Sequence, residues 1–311
     1  MTVTLDAGPR TLVDLDTRTT YGRLALEDRE RLAEFLADRL RYEQTISRLM
    51  YGEAATGALI GAARTDDNQV VIILADPAVD GGRPAGWLFG LDGRRTPYES
   101  DLPPETDARE RPWYQAAQGV GGQLVWVGPF AAFDGLPVLA VATDVRDPRT
   151  QALRGVWSAQ FSLAALPGML RAATAQRPEV QALLLTRDGG LVASAVPSLP
   201  ERVAAANAAL PAPLATLPLE TPIPVHFTYG GEAWAGGIQG FAVGGQLDWF
   251  VGYYLPQRQF LQAVYESQRV AFAAERVGNN ARITISWPVG QHCARPTARW
   301  YSSGAQTGRE P

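Results

Sequence analysis

The sequence predicts an α+β protein in which a long N-terminal helix precedes two antiparallel-sheet modules. Three observations carry that expectation: an apolar period of three to four residues near the start, β-branched runs punctuated by Asp-Gly turns after it, and a strand-into-helix ending that occurs twice. At 311 residues the chain suits two domains or one large two-part domain, and 46% hydrophobic with 19% charged residues is a globular composition.

Residues 1–23 form an N-terminal extension; acid and proline stand where an export signal would carry basic and apolar residues, so no signal peptide is expected. Over 24–60, Leu32, Phe35, Leu36, Leu40, Ile46, Leu49 and Met50 recur with Glu and Arg between them, predicting one long amphipathic helix. The first sheet module is expected over 61–175. It begins with the β-branched run Val70–Leu74 and the segment Gly86–Leu91, closed by the Asp92-Gly93 turn. Arg94 to Arg111, with Pro97, Pro103 and Pro104, reads as a binding loop over a pocket. Strands Gln123–Val127, Leu136–Thr143 and Gly155–Phe161 follow as a meander turning at Asp134-Gly135, and Ser162 is placed to cap a helix carrying Leu163, Leu166 and Leu170.

The second module, 176–274, repeats the plan. Ala182–Leu185 and Leu191–Ala195 flank Asp188-Gly189-Gly190; strands Val225–Tyr229, Ala233–Phe241 and Trp249–Leu255 follow. Pro256 then opens a helix with Phe260, Leu261, Val264 and Phe272. The correspondence reads as an internal duplication with a boundary near Ala175. Residues 275–311 show no sustained period and read as an irregular tail, a truncated or frame-shifted remnant.

Composition excludes several chemistries. All 28 basic residues are arginine, so amine-dependent mechanisms such as Schiff bases and Walker-type phosphate loops are absent. A net charge of −4 with scattered arginines gives no nucleic-acid footprint. One cysteine, Cys293, and two histidines, His226 and His292, are too few for a His/Cys metal cage, so no metal or cofactor is expected. The longest apolar run, Val70 to Ala75, is far below the ~20 residues of a membrane span. His226, alternating with Val225 and Phe227, reads as a structural histidine; with no Gly-x-Ser-x-Gly elbow, no catalytic constellation is expected.

The informative stretch is Arg111-Pro112-Trp113-Tyr114, followed by Trp126-Val-Gly-Pro-Phe130 and by Gly155-Val156 running to Ser162-Leu163. Pro112 favours a helix start, so Arg111 sits at the cap, where its planar fork suits a carboxylate, with Trp113 and Tyr114 as an apolar wall. The alternative is that Arg111 pairs with Asp107 and Trp113 is core. In these three spaced motifs the sequence resembles the double Cache family of extracytoplasmic sensor domains, over about Leu24 to Phe272. The resemblance implies two PAS-like modules, a pocket in the membrane-distal one, and ligand contacts from Arg111, Trp113, Tyr114, Trp126, Phe130 and Gln160. It further implies a small-molecule ligand, a signalling output domain or subunit, a homodimer through the N-terminal helix, and a membrane-anchored parent receptor with this domain extracytoplasmic. Amino-acid-binding members carry acidic and tyrosine side chains where this chain has Thr106, Phe130, Ala132 and Gln160, so the amine-holding half is missing and a small carboxylate or polar metabolite is expected. The alternatives are a soluble enzyme acting on a small carboxylated substrate and a stand-alone binding protein partnering a signalling subunit.

Overall fold

A short strand β1 (Val3–Thr4) leads into two helices, α1 (Ala7–Thr20) and α2 (Arg29–Tyr42). The computed structural model describes residues 3–79, 83–99, 106–177, 180–197, 200–258, 271–277 and 280–286. Asp28 caps α2 by accepting from the Arg31 N–H at 3.1 Å, and Arg39 and Arg41 occupy its last turn, where cations favour the helix dipole. Leu32, Ala33, Leu36, Ala37 and Leu40 form its buried stripe. Arg64 donates to the Leu40 carbonyl at 2.6 Å, filling one of the orphan acceptors at the helix end.

The single helix expected over 24–60 is therefore confined to Arg29–Tyr42, and a second helix, α1, lies in the supposed extension. Ile46 sits in a turn, and Leu49 and Met50 belong to strand β2 (Arg48–Glu53), which pairs with β3 (Leu59–Arg64). The misreading has a physical cause. Both strands read buried at five successive positions, so the alternation that marks a half-exposed strand is missing.

The first sheet continues with β4 (Val70–Ala75), β5 (Ala85–Phe89), β6 (Arg95–Tyr98), β7 (Val125–Ala131), β8 (Pro137–Arg146) and β9 (Leu153–Ser162). Its eight strands run in the order β6-β5-β4-β3-β2-β9-β8-β7, antiparallel throughout. One face is covered by α1, on β8 and β9, and by α2, on β2 to β4. Gly8 allows this close approach, since a Cβ there would meet the Phe161 ring at 2.7 Å. The other face is covered by α3 (Pro112–Ala117), which buries Trp113, Tyr114 and Ala117.

Ser162 does not cap a helix directly. Leu163 donates to the Pro137 carbonyl at 2.9 Å, and α4 (Leu166–Ala173) starts after a turn. The second sheet comprises β10 (Gln181–Thr186), β11 (Leu191–Ser194), β12 (Ile223–Tyr229), β13 (Glu232–Val243) and β14 (Leu247–Pro256), with α5 (Pro200–Ala208) on β12. His226 is exposed on β12 rather than a bonded interior histidine. Its order, β11-β10-β14-β13-β12, matches β3-β2-β9-β8-β7 strand for strand. The two sheets thus repeat one strand order, with β2–β3 as the counterpart of β10–β11.

The modules share one core. Trp126, Phe161 and Leu163 of the first belong to the same buried cluster as Leu184, Phe241, Val243 and Trp249 of the second. A side-chain amide reinforces the joint: Gln246 accepts from the Trp126 N–H at 2.7 Å and donates to the Leu124 carbonyl at 2.8 Å.

Pro256, expected to open a helix, is the last residue of β14; Phe260, Leu261 and Val264 lie outside the described residues, and Phe272 falls in strand β15 (Ala271–Val277). That strand pairs with β16 (Asn280–Ser286), which also pairs with β1. The tail expected to be irregular from 275 thus begins with paired antiparallel strands, β15 and β16; beyond 286 it lies outside the described residues.

Register shifts between Val127 and Phe130 of β7, where Gly128 has φ +128° and a Cβ would meet the Val138 carbonyl at 2.9 Å. Gly128→Ala should cost about 1–3 kcal/mol through backbone strain, read as a lower urea midpoint with unchanged slope; an unaltered midpoint would deny the bulge its structural role. Leu36→Ala, wholly buried in α2, should cost about 2–5 kcal/mol by the same measurement.

Candidate functional site

On β9, Trp157, Ala159 and Phe161 face the helices, while Val156, Ser158 and Gln160 face α3; all six are buried because both faces are covered. The α3 face carries the candidate site, and the chain delivers α3 to it through a tightly bonded corner. Asp107 accepts from the Arg109 N–H at 2.8 Å and from its guanidinium at 2.6 and 3.0 Å, and Ala108 donates to the Gly57 carbonyl at 2.8 Å. Arg109 holds the Asp107 carboxyl below its ordinary range. Gly52 of β2 leaves room for the helix, since a Cβ there would meet Ala108 and Tyr114 at 2.8 Å and Trp113 at 3.0 Å. Trp113 and Tyr114 meet edge to face at 5.9 Å.

Beyond α3 the chain turns through Gly119, Gly121 and Gly122, all at positive φ. Asp144 of β8 holds this turn: its carboxylate accepts from Gly122 N–H at 2.5 Å, Gly121 N–H at 3.3 Å and the Arg146 guanidinium at 2.8 Å.

Arg111 does not pair with Asp107, which Arg109 occupies. Its guanidinium donates to the Ala131 carbonyl at 3.0 Å and lies 4.2 Å from the Phe133 ring centroid. Its Nε is buried without a hydrogen-bond partner, and burial pushes its pKa down. Among the described residues no carboxylate lies within ion-pair distance of it. Trp113 is wholly buried with its indole N–H unpartnered, as core against the sheet.

The bulge in β7 sorts the remaining candidates. With even spacing along a regular strand, Trp126 and Phe130 would share a face; one extra residue at Gly128-Pro129 sends them to opposite faces. Phe130 packs toward Trp113 and Tyr114, and Gln160 faces the same side with no hydrogen bond to its side-chain amide. Trp126 does not join them. Its indole stacks on Phe161 at 5.8 Å, toward the second module.

A cavity of about 570 Å³ opens on the α3 face, lined by Arg48, Ile73, Tyr98, Phe133, Asp134 and Ser162 among others. None of the six sequence-predicted residues lines it among the described residues; Arg111 reaches its wall through Phe133. Arg48 is ion-paired with Asp134. The sequence reading missed Arg48 by assigning its strand to a helix, and missed Phe133 and Asp134 by treating 134–135 as turn chemistry alone. The expected binding loop resolves into β6 and a corner from Thr106 onward, with 100–105 outside the described residues.

Two other cavities flank α2. One of about 730 Å³ holds Arg29, bonded to Glu53, Asp76 and Thr56; one of about 610 Å³ holds Arg41, bonded to the Phe89 and Gly90 carbonyls. Among the described residues no cluster of three His, Cys, Asp or Glu could hold a metal, and no helix is long and apolar enough to cross a membrane. His292 and Cys293 lie outside them.

The pH response of the corner follows from the depressed Asp107 pKa. The folded state binds this proton less readily than the unfolded chain, so the carboxylate stabilises above its ordinary value of 3.8 and the contribution fades as pH falls below it. The melting temperature of wild type minus that of Asp107→Asn should be constant above about pH 5 and shrink below that value; a difference that persists at low pH would exclude the Asp107–Arg109 pair as its source.

No protein-family model and no curated protein matches the sequence. Solved structures do. The ligand-binding domain of the Campylobacter jejuni chemoreceptor Tlp3, in complex with 4-methylisoleucine, aligns at 9% identity with a TM-score of 0.50, covering 82% of this chain and 82% of that one. The ligand-binding domain of the Pseudomonas aeruginosa amino acid chemoreceptor PctC, in complex with GABA, aligns at 17% identity and TM-score 0.47 over 81% of this chain and 91% of that one. The two-sheet α+β architecture of this chain is the double Cache fold of chemoreceptor ligand-binding domains.

Proposed function

We propose that the chain is a sensory module that captures a small organic carboxylate at Arg111, on the α3 face of the first sheet, and passes the event to a signalling output. The observation that carries this reading is the state of Arg111. A guanidinium stays charged under all ordinary conditions, and a half-buried cation without a counter-charge bears an uncompensated desolvation cost. An incoming carboxylate supplies that charge, and the planar fork accepts it bidentately. Phe130 and Phe133, both half-buried, give the site apolar walls backed by the buried Trp113 and Tyr114, and Gln160 offers an amide that the fold leaves unbonded. Trp126 serves in this reading as the contact that carries a shift of β7 to the second module.

The shared fold with a chemoreceptor domain solved in complex with 4-methylisoleucine supports a small-molecule role. In the same reading the module is a non-enzymatic, extracytoplasmic part of a membrane receptor whose output is a kinase, a nucleotide cyclase or a chemoreceptor domain. A homodimer through the N-terminal helices accords with Val13 and Tyr21, which α1 and its C-cap expose.

Thermal melting of the full chain against carboxylates, amino acids and sugars tests this. A ligand at 100 times its Kd adds about 2.7 kcal/mol, a shift of several degrees. Arg111→Ala should abolish the shift, and Arg111→Lys, which keeps the charge without the fork, should reduce it. The absence of a shift with every carboxylate, or an equal shift in Arg111→Ala, would remove the proposal.

A further inference from the structure

We infer that Arg48 completes this site for a dicarboxylate, and that Asp134 occupies Arg48 as an internal stand-in which the ligand's second carboxylate displaces. The inference rests on the reading of Arg111 given above and adds the class of ligand and the residue that selects it.

Arg48 opens β2 and faces α3: its Cα partners are Ala63 on β3 and Gln160 on β9, and Ala63 belongs to the core beneath α3. A cation buried in a central strand is tolerated when it is paired. The partner is Asp134, and the pair is uneven. The Arg48 side chain is 7% exposed and fixed in the sheet; that of Asp134 is 31% exposed, on the turn joining β7 to β8. The acid can therefore leave for water at little cost while the base cannot.

The same short turn is gripped from its other end by Arg111, through the Ala131 carbonyl and the Phe133 ring. Ala131 and Asp134 are three residues apart, at most about 11 Å along an extended chain. Two guanidiniums thus grip the two ends of one short turn, and a short carbon chain carrying two carboxylates is the ligand class that would engage both. The cavity beside them, about 570 Å³ and lined by Arg48, Phe133 and Asp134, is of the size that holds small ligands.

Two buried polar groups on this face lack partners. The Ser158 hydroxyl has none, and the Gln160 amide, directly across from Arg48, makes no side-chain hydrogen bond. Buried polar groups are bonded as a rule, so this pair marks a place where an acceptor arrives from outside. A carboxylate seated on Arg48 takes a bond from Gln160 as well. An ammonium in that position would instead meet the Arg48 charge.

Isothermal titration of the full chain with succinate, glutarate and butyrate tests the inference. Asp134→Asn removes the competing charge but keeps a side-chain oxygen for the Leu136 N–H, which Asp134 now receives at 3.1 Å. It should tighten succinate or glutarate by about fivefold or more and leave butyrate unchanged. Arg48→Gln should bring the dicarboxylates down to the level of butyrate; should that variant not fold, Asp134→Asn decides alone. Dicarboxylate binding that is weakened or unmoved in Asp134→Asn overturns the inference. If carboxylates bind in an Arg111-dependent way and Asp134→Asn changes none of them, only this inference fails. If no carboxylate binds, or Arg111→Ala binds as wild type does, the receptor reading fails with it.

Discussion

Burial of the first sheet on both faces is the constraint from which the rest of the structure follows. With α1 and α2 on one side and α3 on the other, the central side chains of β2, β8 and β9 are committed to one of two interiors. One interior is apolar and continuous with the second module. The other is narrower, admits glycine where α3 presses down, and contains Arg48, Ser158 and Gln160. The polar side chains of the second interior are the ones the candidate site draws on. The single extra residue in β7 is what assigns Trp126 to the joint and Phe130 to the site.

Much of the fold was legible in the sequence, and the failures share one physical origin. Strands β4, β7 to β9 and β10 to β14 were readable because Asp-Gly and Gly-Gly pairs bounded them or because one face alternated with water, as in β12. Strands β2 and β3 carry neither mark. Their apolar residues are continuous, and the spacing of Ile46, Leu49 and Met50 happens to extend the true helical stripe of α2. Helix α1 was overlooked because only Leu12 and Leu15 declare its inner face, the remaining buried positions being Thr11, Thr19, Ala7 and Gly8. The candidate site was legible in part: Arg111 and its aromatic neighbours stand out by their order along the chain, while Arg48 and Asp134 meet across 86 residues and no local pattern joins them.

The cationic inventory gives Arg111 its significance. In a chain whose basic residues are all arginine, many partly buried guanidiniums are paired with acids: Arg29 with Glu53 and Asp76, Arg95 with Glu30 and Glu34, Arg187 with Asp248; Arg64, on the Leu40 carbonyl and Asn68, and Arg202, over Tyr229 and Trp234, share with Arg111 the lack of a carboxylate within ion-pair distance among the described residues. Arg109, two residues away, is consumed by Asp107. Arg111 keeps one carbonyl and one ring, which orient the fork without neutralising it. A positioned but uncompensated charge is the electrostatic condition of an anion receptor.

The Gln246 amide has a consequence of its own. As the last strand of an eight-stranded sheet, β7 would present free N–H and C=O groups to any extended peptide that drifted alongside. Gln246 satisfies the Trp126 N–H and the Leu124 carbonyl with one side chain, much as a neighbouring strand would. The joint between modules therefore also works as a cap against runaway strand addition, protecting the chain from polymerising along its own border.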